Sequence, residues 1–137
     1  MSTMTGTWDG GRAFTHTSAS GHTLVTDVAP DHGGQDLGPT PMELVLLGLI
    51  GCTGLDVVSI LEGMRQPLEG LTITATHERS EEHPRVFTAI HLVFQFRGGL
   101  EAKKVERAIK LSESKYCSVS AMLGQSARIT HETVIEA

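Results

Sequence analysis

Hydrophobic and polar positions change their period along this chain, and the changes mark out its elements. Between Thr7 and Asp27, short β-type stretches are broken by DGG and SASGH, with turn signals at Gly10-Gly11 and Ser20-Gly21. That pattern predicts a two- or three-stranded N-terminal meander. VAPDHGGQDLGP, Val28 to Pro39, is rich in proline, glycine and aspartate and is the longest irregular connection. Long loops inside compact domains are often functional. TPMEL then opens a helix, with Thr40 as N-cap, Pro41 at the first helical position and Glu43 at the third. The pattern continues through VLLGLIGCTGLDVVSILEGM to Gly63, giving a helix of about 24 residues and about 36 Å. Its first half is apolar around the whole circumference, so it must be covered on all sides. A chain of 137 residues has little material for that, and a second subunit supplies it.

After Pro67, LTITATHERS and RVFTAIHLVFQF alternate as strands joined by the charged SEEHP. In the second, Ile90, Leu92, Phe94 and Phe96 point one way, while His91, Val93 and Gln95 point the other. GLEAKKVERAIKLSESKY reads as an amphipathic helix with Val105, Ala108, Ile109 and Leu111 on or near one face. CSVSAMLGQ reads as a shorter helix, and ARITHETVIEA as a C-terminal strand. Strands, a long central helix, two strands, helices and a strand make an α+β pattern in a single domain, residues 1–137.

Composition narrows the function classes. A formal net charge of −5 leaves no basic surplus to neutralise phosphates, which argues against nucleic-acid binding. No Lys/Arg-rich block marks a membrane surface, and the N-terminus lacks the basic and apolar regions of a secretory signal. The longest apolar run, Leu44 to Leu55, is too short for a membrane span and ends at Asp56. The expectation is a soluble, cytoplasmic protein. Seven histidines are scattered without HExxH spacing, and the two cysteines form no CxxC, so no metal site and no cofactor are expected.

The cysteines are the candidate chemistry. Three glycines, Gly48, Gly51 and Gly54, surround Cys52 in the long helix, each costing about 1 kcal/mol against alanine. Val45, Gly48, Asp56, Ser59 and Gly63 lie within about 40° of Cys52 around the helix, a stripe smaller and more polar than the rest. Such a stripe leaves space above a working thiol, although free cysteine is also a common core residue. Cys117 stands at the start of the short helix, where N–H groups, the helix dipole and Lys115 favour a thiolate; packing or capping is the alternative. Asp56, one turn after Cys52, opposes thiolate formation if the side chains are close. With no hydrolase signature, two separated thiols suit redox work: one is oxidised to a sulfenic acid and the other resolves it as a disulfide.

GPTPMELVLLGLIGCTGLDVVSIL, KYCSVSAML and the terminal ITHETVIEA resemble the OsmC/Ohr family, the osmotically inducible protein C and organic hydroperoxide resistance proteins. HPRVFTAIHL and LSESKYCSVSAML are most similar to its YhfA-like branch. The resemblance implies an intertwined homodimer with two long central helices covered by sheets from both subunits, and active sites at the dimer interface. It implies reduction of organic or fatty acid hydroperoxides in oxidative stress defence. Cys52 would be the peroxidatic cysteine, Cys117 the resolving cysteine, and a dithiol such as a lipoylated protein the reductant. In the family an arginine and a glutamate ionise the reactive thiol. Here Met42 occupies the glutamate's place, and Glu43 is about 180° around the helix from Cys52. Arg12 is the only arginine in the N-terminal segment. Two other readings therefore stand beside a peroxidase: a non-catalytic protein binding a small apolar or thiol-reactive ligand at the dimer interface, and a structural dimer with inert cysteines.

Overall fold

The computed structural model describes residues 2–137, which pack as two compact units, one ending at Leu46 and the other running Leu47–Ala137. In the first, β1 (Thr5–Trp8), β2 (Phe14–Thr17) and β3 (Thr23–Thr26) form an antiparallel meander in that order, as the turn signals predict. The connection that follows is built around Asp27. Its buried carboxylate accepts N–H bonds from Val28 (2.7 Å), Gln35 (3.1 Å) and Leu37 (3.2 Å), tying both ends of the loop to one side chain. Gly38 is required there by close approach, since a Cβ would lie 2.0 Å from the carbonyl oxygen of Val25. A 3-10 turn, Pro30–His32, occupies the middle of the loop.

The N–H bonds, that of Val28 foremost, hold the Asp27 carboxyl below its ordinary value of 3.8. A depressed folded-state value means that the carboxylate stabilises the fold above that ordinary value and loses the contribution as pH falls through the depressed one. Asp27→Asn places an NH₂ group against these donors. It is expected to lower unfolding stability at neutral pH, measured by urea denaturation, and to weaken its acid dependence.

Helix α1 (Pro41–Gly63) begins with the capping box read from the sequence. Thr40 Oγ1 accepts the Glu43 N–H at 3.1 Å, and Glu43 Oε1 accepts the Thr40 N–H at 2.8 Å. Leu46, Leu49, Val57 and Leu61 are buried, whereas Leu47 and Leu55 are 54% and 72% exposed. The whole helix, with a mean hydropathy of 2.3 over its most apolar window, is long and apolar enough to cross a membrane by length and composition. This corrects the expectation drawn from the Leu44–Leu55 run, because the apolar character resumes beyond Asp56. Only 28% of that window is buried within the chain, and Leu47 and Leu55 stay exposed on it.

In the second unit, β4 (Gly70–Arg79) and β5 (Phe87–Arg97) pair antiparallel, and β6 (Arg128–Glu136) adds parallel to β5, giving the order β4-β5-β6. A parallel partner needs a crossover connection. Helices α2 (Ala102–Leu111) and α3 (Ser118–Leu123) provide it. Ile90, Leu92, Phe94 and Phe96 form the buried face of β5, with Val105, Ala108 and Ile109 of α2 also buried. The sequence pattern extends α2 to Tyr116, but the α-helical part stops at Leu111. Residues Ser112–Tyr116 form a π-helical turn before α3, and such turns often occur at functional sites.

Candidate active site

The second unit brings together side chains far apart in sequence. Cys52 sits on α1, half-buried, with Asp56 one turn later on the same ridge. Cys117 is buried, 3% exposed, between the π-helical turn and α3. The two sulfurs and a carboxylate oxygen of Asp56 all lie within 4.8 Å of one another, and both cysteines are free thiols. Formation of a disulfide of about 2.05 Å would bring the sulfurs together by at most about 2.8 Å.

Cys117 is held from both sides. Its N–H donates to the Ser112 carbonyl at 2.8 Å, and its carbonyl accepts from Ala121 N at 3.1 Å and from Ser120 Oγ at 3.0 Å. Its sulfur caps α3 by accepting the Ser120 N–H at 3.3 Å. The expected activation by the helix start does not prevail. Burial, followed by the neighbouring Cys52 thiol, pushes the Cys117 thiol up despite the Ser120 contacts. Lys115 Nζ lies 5.2 Å over the Tyr116 ring.

Asp56 is oriented by two hydroxyls that local sequence reasoning could not connect. Ser112 Oγ donates to Asp56 Oδ2 at 3.0 Å and lies 3.0 Å from Thr53 Oγ1. Since Ser112 has one hydroxyl proton, Thr53 is the donor in the second bond. Ser112 and Thr53 are 0% and 1% exposed, so the relay is sealed from water on that side. Beside it, Asp56, Ser59, Ile60, Leu111 and Tyr116 line a cleft of about 410 Å³, large enough for a small organic molecule. Leu111 thus serves the cleft wall rather than the fully buried core.

His131 on β6 sits between two carboxylates of the crossover connection, one of them on the π-helical turn. It places Nδ1 2.9 Å from Glu113 Oε1 and Nε2 3.0 Å from Glu106 Oε2. Thr133 Oγ1 donates to the other Glu106 oxygen at 3.1 Å. The His131 hydrogen bond, above all, holds the Glu106 carboxyl below its ordinary value of 4.5. This cluster was missed in the sequence because its members share no local motif.

The remaining sequence candidates have other work. Glu43 is the capping acid of α1. Arg12 lies in the N-terminal unit, donating to the Gly11 carbonyl at 3.2 Å and lining a cleft with Asp9 and Asp27. Met42, half-buried, brings no charge to the place where a carboxylate was sought.

A family model described as OsmC-like protein matches residues 33–132. Protein YhfA of Escherichia coli (strain K12) is 44% identical over 125 residues, covering 90% of each chain. The crystal structure of a hypothetical protein from Aquifex aeolicus VF5 is 30% identical, with a TM-score of 0.84 over 100% of this chain and 98% of that one. The organic hydroperoxide resistance protein OhrB of Bacillus subtilis shares the fold, with a TM-score of 0.70 at 19% identity over 98% of both chains.

Proposed function

Because this chain belongs to the OsmC-like family, a group tied to peroxide-related redox chemistry, we propose that it reduces organic hydroperoxides with Cys52 and Cys117. The observation that carries the reading is the convergence of two free thiols within 4.8 Å on separate elements of one folded unit. Cys52 is the attacking thiol, since it is the more accessible of the two and burial pushes the Cys117 thiol up.

The Cys52 thiolate attacks the peroxide O–O bond. An S–O bond forms, the O–O bond breaks, and the departing alkoxide takes a proton to leave as an alcohol. The Cys117 sulfur then attacks the sulfenic acid of Cys52. The S–S bond forms, the S–O bond breaks, and water leaves with the sulfenic oxygen. A dithiol reductant, a lipoylated protein being the kind the family resemblance implies, returns two electrons and two protons to regenerate both thiols. Ile60, Leu111 and Tyr116 give the neighbouring cleft an apolar side suited to the organic part of the substrate.

The active form is a homodimer. Gly48, Gly51, Leu55 and Ser59 recur at helical spacing and are all exposed. A Cβ at Gly48 or Gly51 would meet no atom within 4 Å. A strip of small residues beside Leu55 lets a second copy's α1 approach closely and supplies cover for the bare apolar surface of this helix.

Titration of free thiols before and after cumene hydroperoxide, in chelator-treated protein, tests the reaction. Wild type is expected to lose two thiols per chain, and Cys52→Ser none beyond slow background. Unchanged thiols in wild type would overturn the proposal. Met42 at the family glutamate's place favours a second reading, ligand binding without turnover. That reading predicts ligand-induced thermal stabilisation that persists in Cys52→Ser with no thiol consumption.

A further inference from the structure

We infer that Cys52, Cys117 and Asp56 form a zinc site whose occupation closes the dithiol to oxidation. The sequence spacing offers no metal motif; the fold creates one by bringing a helical i, i+4 pair against the N-cap residue of a different helix. Two thiolate sulfurs and a carboxylate oxygen are a donor set that suits Zn²⁺, with the fourth tetrahedral position left to water or a small ligand. At Zn–S distances of about 2.3 Å, tetrahedral geometry separates two sulfurs by about 3.8 Å. The donors already lie within 4.8 Å of one another, so assembly needs a closure of only about 1 Å.

The surroundings of Asp56 carry the inference beyond mere proximity. A dithiol that works through a thiolate is hindered by a neighbouring carboxylate, because like charges oppose ionisation. Yet Asp56 is held in place by Ser112 Oγ at 3.0 Å, which is itself backed by Thr53 at 3.0 Å, and both hydroxyls are buried. An outer layer of hydrogen bonds that fixes a carboxylate is what a metal ligand requires. A divalent cation also reverses the local electrostatics, stabilising both thiolates and the carboxylate together. Binding displaces one proton from each thiol to solvent and transfers no electrons. With both sulfurs committed to the metal, neither is free to attack a peroxide.

The reduced, chelator-treated full chain should be titrated with Co²⁺ as a spectroscopic substitute for Zn²⁺. One equivalent is expected to produce a thiolate-to-cobalt charge-transfer band and intense tetrahedral d–d bands, and Zn²⁺ should bleach both. Cys117→Ser should lose about half the charge-transfer intensity, since one of two thiolates is gone. Asp56→Asn should keep the two-thiolate band but weaken the affinity at least about tenfold. Circular dichroism verifies that each variant is folded. No charge-transfer band in wild type, or an affinity unchanged in folded Asp56→Asn, would overturn the site. A further expectation is that one equivalent of Zn²⁺ slows the loss of thiols to hydroperoxide. The cobalt spectrum is independent of turnover, so a band without peroxide reactivity would uphold the metal site while defeating the peroxidase.

Discussion

Cys52→Ser is expected to lower kcat/KM for an organic hydroperoxide by about a thousandfold or more, as removal of an attacking nucleophile does. The fold should survive, because Cys52 is only half-buried and serine is smaller by little more than the change from sulfur to oxygen. Cys117→Ser should behave differently. Its Cys52 still meets the peroxide and reaches a sulfenic acid, which dimedone traps, but the resolving sulfur is absent and catalytic cycling stops. Stopped-flow measurement of the first turnover beside steady-state assay separates the two steps. Equal loss of the first turnover in both variants would contradict the division of labour drawn from their unequal exposure.

Leu55→Asp should convert the protein from dimer to monomer, raising the dissociation constant by at least about a thousandfold, equivalent to about 4 kcal/mol. Leu55 is 72% exposed in the isolated subunit, so an aspartate there costs the monomer little. In a dimer packed along α1 it puts a charge into an apolar seam from each copy, without a partner. Light scattering after size-exclusion chromatography reads the mass, and circular dichroism verifies that the monomer remains helical. A dimer of unchanged affinity would place the subunit contact elsewhere.

Local features of this fold were legible because neighbouring residues determine them. Thr40 and Glu43 announced the α1 capping box, and both bonds are present. The alternation Ile90, Leu92, Phe94, Phe96 identified the buried face of β5, and Cys117 was readable as the residue that starts α3. The OsmC/Ohr resemblance rested on the segments around both cysteines, and the family match supports it. What escaped the sequence depends on tertiary placement. Ser112 reaches Asp56 across 56 positions and Thr53 across 59, and no periodicity connects them. Cys117 occupies a helix start, which favours a thiolate, but the core around it favours the thiol more strongly. The π-helical turn at Ser112–Tyr116 is likewise invisible in an amphipathic pattern that runs smoothly through it. It matters most, since it carries Ser112 at one end and leads directly into Cys117.

The two thiols must act as one unit if the chain is a two-cysteine peroxidase, and their linkage can be observed directly. Reduced, metal-free protein is treated with one equivalent of cumene hydroperoxide, alkylated, digested without reduction and mapped by mass spectrometry. The expected product is a peptide pair joined by a Cys52–Cys117 disulfide within one chain, two hydrogens lighter than the reduced peptides together. Recovery of both cysteines as alkylated free thiols, with the hydroperoxide unconsumed, would contradict the account.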